Sequence, residues 1–198
     1  MKRLAMIACM QLFIFAGYSA CFAQGVVARI QGAVTIDGKN ARTADIVKDG
    51  AVIETAREAH IDVRIGTGDV VRVKDGKVIF TLAGDKTHLS VVRGKVYLAV
   101  KKIFSQNGAY TLDSPNAVAG VRGTRFLFEA APEGTYICVC EGVVSVSPKI
   151  DASIKKSVAK DYDLWVKDGK PVKDPKFSPD MSKMTNQVFE DMGIPAKE

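Results

Sequence analysis

Apolar and polar residues alternate with period two over most of the chain. Ile61, Val63 and Ile65 fall on one side while Asp62 and Arg64 fall on the other, the pattern of a half-buried antiparallel strand. The same alternation recurs in Val71/Val73, Leu89/Val91, Val96/Leu98/Val100, Phe126/Phe128 and Val144/Val146. Asp75-Gly76 and Asp168-Gly169 read as hairpin turns between such runs. A glycine followed at once by a strand pattern appears at Gly32, Gly76, Gly94 and Gly142, and these irregular spacings argue against a strict solenoid. The expectation is an all-β fold, a sandwich or roll of many short strands.

Helical patterning is confined to the C-terminal end. Ser178 is a good N-cap, Pro179 suits the first helical position, Asp180 suits the positive end of the dipole and Gly193 can close the helix. Met181, Met184, Val188 and Met192 fall at helical spacing, which predicts an amphipathic helix over 178–193 with that stripe docked on the protein's own sheet, or else facing a partner. Pro171, Pro175 and the charges between them mark 171–177 as a connector, so residues 151–177 read as a β-hairpin and connector after a main domain of 24–150.

The first 23 residues read differently. Lys2 and Arg3 precede an apolar stretch from Leu4 to about Phe15, followed by small residues, the order of a secretory signal peptide. Cleavage after Ala23 would leave 175 residues, 198 less 23; lipidation at Cys21 is the competing reading, with Tyr18 standing where an aliphatic residue is usual. No later apolar stretch approaches transmembrane length. The expected location is therefore periplasmic or secreted, with a lipoprotein as the alternative.

Charge narrows the partners. The formal +6 falls to +4 when Lys2 and Arg3 leave with the leader, and acids and bases alternate along the strands, as in Asp69/Arg72/Lys74. A nucleic-acid surface needs bases clustered on one face, so no nucleic acid is expected. Lys155, Lys156 and Lys160 read as a solvated loop.

Candidate chemistry is sparse. Cys138 and Cys140 share one side of a strand; buried small side chains, a strained intrastrand disulfide and a metal or redox site all stand as readings, with the Cα spacing of about 6.5–7 Å unfavourable for the disulfide. His60 and His88 have no metal-ligand spacing, and no metal or cofactor is implied. Gly120-x-x-Gly123 is followed by a strand pattern where a phosphate loop would need a helix. No Gly-x-Ser-x-Gly elbow exists, and a non-enzymatic role is expected.

The segment Ser114 to Glu129 combines a Ser-Pro-Asn turn, a small-residue run and the strand Arg125-Phe126-Leu127-Phe128-Glu129. Within it, Gly120-Val121-Arg122-Gly123-Thr124-x-Phe126 resembles the core motif of the FecR domain, named for the periplasmic regulator of ferric-citrate uptake. The likeness runs from about Gly25 to Pro148, through Gly32-x-Val34, Gly94-x-Val96 and Glu141-Gly142-x-Val144. It implies an exported, non-catalytic β module that binds or senses something in the cell envelope, with a link to signal transduction. In the family's regulators a cytoplasmic segment controls a sigma factor; with a short cleavable leader expected here, direct sigma-factor control is not expected.

Arg122, Thr124, Arg125 and Trp165 are the candidate binding residues, Arg122 reading either as a structural anchor in an apolar turn or as a ligand contact. The expected partner is an envelope protein. The alternative is a structural or glycan-binding role in which Tyr97, Tyr110, Tyr162 or Trp165 stack on sugars.

Overall fold

A computed structural model describes residues 24–66, 68–84, 86–100, 109–121, 123–167, 170 and 172–195. The expected leader, Cys21, Arg122 and the expected Asp168-Gly169 turn lie outside the described residues. Sixteen strands and one helix follow in order: β1 Gly25–Gln31, β2 Val34–Ile36, β3 Lys39–Asn40, β4 Ile46–Val47, β5 Val52–Thr55, β6 His60–Ile65, β7 Asp69–Ala83, β8 Lys86–Ala99, β9 Ala109–Asp113, β10 Ala117–Val121, β11 Arg125–Ala131, β12 Gly134–Glu141, β13 Val143–Pro148, β14 Lys156–Ala159, β15 Tyr162–Lys167, β16 Lys176–Phe177 and α1 Pro179–Asp191.

Two long strands organise everything else. β7 and β8 pair antiparallel from Val70↔Ala99 to Ala83↔Lys86, and the register shifts between Lys74 and Lys77. Asp75-Gly76 therefore lies inside a strand as an irregularity and is not the hairpin turn the dipeptide suggests; Asp75 takes φ 53° there. Gly76 faces Gly94, whose φ is 89°, and a Cβ on Gly94 would come within 2.4 Å of the Gly76 Cα. Only glycine fits so close a backbone approach, and the hairpin bends at this point.

Either side of the bend, the hairpin carries a different set of neighbours. Residues 69–74 of β7 pair with β6, which pairs with β1, while residues 94–99 of β8 pair with β11, then β12, β15 and β16 in turn. Beyond the bend, residues 77–79 of β7 pair with β5 and so with β2 and β3. Residues 86–90 of β8 pair in parallel with β9, which leads to β10, β13 and β14. The hydrogen-bonded sheet is thus folded into two layers that share one hairpin, the sandwich or roll that the alternation predicts.

The inward side chains of both layers form one apolar core. Ile61, Val63, Val73, Leu98, Phe126, Phe128 and Ile137 from the first layer meet Ile53, Phe80, Leu89, Leu112, Val144 and Val146 from the second, all at most 1% exposed. Val158, Leu164 and Val166 join the same core, so the segment after residue 150 is part of the sandwich. Its strands divide: β14 extends the second layer from β13, β15 extends the first from β12, and β16 pairs back on β15.

α1 closes the chain over the outside of the first layer. Its C-terminal end is a Schellman cap, with Ile194 N–H donating to the Phe189 carbonyl at 2.8 Å and Gly193 N–H to Glu190 at 2.9 Å, Gly193 taking φ 77°. Ser178 occupies the N-cap with Pro179 next, but its side chain makes no capping bond. The docked face differs from the predicted methionine stripe. Ser182, Thr185 and Phe189 are buried, with Val188 and Met192 partly so, whereas Met184 is 61% exposed. Phe189, a far larger aromatic anchor one position beyond Val188, sets the rotation of the helix.

Candidate functional site

The first layer has a second core on its outer face. Tyr97, Ala99, Leu127, Tyr136, Cys138, Cys140 and Phe189 pack together, with Trp165, Val188, Met192 and Ile194 at the margin. β12 is consequently buried on both faces, matching the uninterrupted apolar run Tyr136-Ile137-Cys138-Val139-Cys140. The Phe189 ring meets Tyr97 edge-on at 6.1 Å between centroids.

Charged groups fasten the helix around this core. The Arg72 guanidinium donates to Asp62 through Nε at 2.6 Å and Nη2 at 2.8 Å, and through Nη1 to Asp191 at the end of α1 at 2.5 Å. Arg72 and Asp62 side chains are 4% and 5% exposed, so this pair is desolvated and fully bonded. Arg29 adds a bond to the Asp191 carbonyl at 2.8 Å. The bond from Arg72 holds the Asp191 carboxyl below its ordinary range. His60 sits buried beside this cluster, and burial, followed by the charge of Arg72, pushes its pKa down.

The described motif residues are mostly buried. Val121, Thr124 and Phe126 are buried, and the Thr124 methyl is the nearest neighbour of Gly142, where a Cβ would stand 2.6 Å away. Gly123 takes φ 61°, as its place in the turn requires. Gly120, by contrast, faces open space, so its small size is not needed for close approach. Arg125 is 7% exposed, pairs with Glu141 at 3.1 Å, donates to the Pro195 carbonyl at 2.8 Å and lies 5.8 Å from the Phe189 ring centroid. Its guanidinium thus grips the chain just beyond α1.

Other candidates are scattered. Tyr97 and Tyr110 are 7% and 4% exposed, which removes them from any sugar-stacking surface; the outer-face packing that α1 completes buries the first, and the sandwich core buries the second. Burial raises both phenols, Tyr97 to about 12. Cys138 and Cys140 are free, buried thiols, with no disulfide between them, in keeping with their strand spacing. Thr185 Oγ1 and the Ser182 carbonyl lie over them at 3.9 and 3.5 Å, and contact with Cys138 together with burial pushes the Cys140 thiol up. Trp165 remains partly exposed beside a cleft.

Folding also assembles a cluster that the linear spacing conceals. On the outer face of the second layer, Asp113 contacts the His88 ring Nε2, receives Ser90 Oγ at 2.8 Å and Lys149 Nζ at 2.8 Å. Parallel pairing of β8 with β9 brings these residues together, through the register Ser90↔Asp113. A nucleophilic triad requires the carboxylate and the serine on opposite ring nitrogens, yet here Ser90 Oγ also addresses Nε2, at 3.2 Å. The arrangement is an ion-pair network, not a charge-transfer chain. Among the described residues, no group of three His, Cys, Asp or Glu side chains converges as a metal ion would need.

Comparison with known proteins gives this geometry a context. The chain resembles two crystal structures of a candidate anti-sigma factor from Parabacteroides distasonis ATCC 8503, at 1.65 and 2.50 Å resolution, with TM-scores of 0.57 and 0.56 and 16% identity in each case. The matches cover 69% of this chain and 64% and 63% of those chains, so the likeness spans less than two thirds of their length and establishes the fold. No curated protein matches the chain. The family model for FecR protein matches residues 30–145, more than half of the sequence, from β1 through β13 and including the motif around Gly123. This chain belongs to the FecR family.

Proposed function

We propose that this chain is an exported, non-catalytic binding module of the cell envelope, serving signal transduction by contact with an envelope protein. The FecR match over residues 30–145 carries the reading. The likeness to an anti-sigma factor's fold supports a regulatory setting, and the Ser90–His88–Asp113 geometry favours contact over bond-making. The signal-peptide pattern of residues 1–23 supports export.

The partner would meet the end of the molecule where β16 runs into α1. Phe177, Met181 and Met184 are 59%, 37% and 61% exposed, and Tyr162 stacks edge-on against Phe177 at 5.4 Å. Methionines at this spacing share one helix face and adapt to an apolar partner surface. Crosslinking in the native envelope followed by purification should recover a specific protein, and F177D with M184D should abolish the adduct while leaving the fold intact. Recovery of the chain alone, under several crosslinking chemistries, would overturn the reading.

A further inference from the structure

A cleft of about 340 Å³ opens beside β15 and β16, lined by Asp163, Leu164, Trp165 and four lysines, Lys167, Lys170, Lys173 and Lys176, together with Asp174. Its size falls within the roughly 300–1,000 Å³ typical of small-molecule sites. The two acids are engaged elsewhere: Asp163 accepts from the Tyr136 hydroxyl at 3.0 Å and Asp174 from Lys156 at 2.7 Å. The four lysines make no ion pair among the described residues. Four ammonium groups around one small concavity repel each other, and an anion in the cleft relieves that repulsion.

The apolar wall matters equally. Trp165 is packed against Tyr136 at 4.9 Å between centroids, and the Lys167 ammonium lies 5.7 Å from its ring centroid, so the indole is held in place at the cleft. A fixed aromatic beside four lysines lining one cleft suits a compact ligand with a hydrocarbon side and an anionic side. Lysines act as point charges without the planar fork of arginine, so they accept carboxylate and phosphate alike.

We propose that this cleft binds an anionic sugar, one bearing carboxylate or phosphate groups. The site shares no residue with the proposed protein-contact surface, although Asp163 and Lys176 adjoin Tyr162 and Phe177, and it does not depend on that reading.

Trp165 is the single tryptophan of the chain, which makes its fluorescence a local probe. The full chain would be titrated with trigalacturonate, with glucose 6-phosphate and with neutral galactose. The expected result is a saturable change with at least one of the two anions, weakening as salt rises, and none with galactose; the responding probe identifies the anionic group. K170Q/K173Q should weaken binding about tenfold with an unchanged circular-dichroism spectrum. K173E, a single exposed reversal, should weaken it in the same direction. No saturable response to either anion, an equal response to galactose, or unchanged affinity in the lysine variants would each overturn the proposal.

Discussion

The two layers of the sandwich share a core and a hairpin but finish their outer faces in opposite ways. The second layer turns Glu54, Lys77, Ser90, Asp113 and Ser145 outward, where Glu54 pairs with Lys77 and Asp113 with Lys149 and Ser90. The first layer turns Tyr97, Leu127, Tyr136 and Cys138 outward, and α1 must cover them. One face is complete when the strands have paired. The other depends on a helix that arrives last in the chain and is fastened at Arg72, Arg125 and Phe189. That contrast locates the vulnerable side of the molecule, since equal changes on the two faces should have unequal effects.

The largest effect is expected where the layers meet. Gly94→Val places a branched side chain at φ 89° against the Gly76 backbone, and the protein should fail to give a cooperative thermal transition by calorimetry. Next comes Arg72→Ala, which leaves Asp62 buried without its partner and should cost about 3–5 kcal/mol in urea unfolding. Phe189→Ala should cost a similar or slightly smaller amount, about 3 kcal/mol. It should also make Cys138 and Cys140 reactive toward a thiol reagent that leaves them untouched in the parent protein.

Smaller effects sharpen the contrast. Ser90→Ala on the open face should change stability by only about 0.5 kcal/mol, within the range of ordinary surface substitutions. If it matched Arg72→Ala, the asymmetry between the faces would be wrong. Acid should act on the covered face in two steps. His60, with its folded pKa below 6.5, favours the neutral form in the native state, so its contribution is present above 6.5 and is lost as pH falls toward the folded pKa. Asp191, held below 3.8, contributes above 3.8 and loses that contribution only as pH falls through its lower folded pKa. His60→Gln should remove the first decline in stability, read by urea unfolding across pH, and leave the second.

Much of this was legible in the sequence, for physical reasons. Period-two alternation marks strands because burial on one face is a local property. The turn and strand around Gly123 carry the family likeness in contiguous residues. Long-range placement was not legible. Asp75-Gly76 has the composition of a hairpin turn, but the partner that makes it a bend, Gly94, lies 18 residues on. Helical spacing favoured Met181 and Met184 because it measures periodicity alone, while the outcome turned on the Phe189 contact with Tyr97. The His88–Asp113 contact arises from parallel strand pairing, which local pattern cannot reveal.

The bent hairpin has one more implication. A sandwich built from two separate sheets can part along its seam, each half retaining its own hydrogen bonds. Here Leu89 and Leu98, nine residues apart on one strand, serve opposite walls of the same interior. Prying the walls apart would tear that strand's ladder, so strain imposed at either outer surface is carried through continuous backbone to the other.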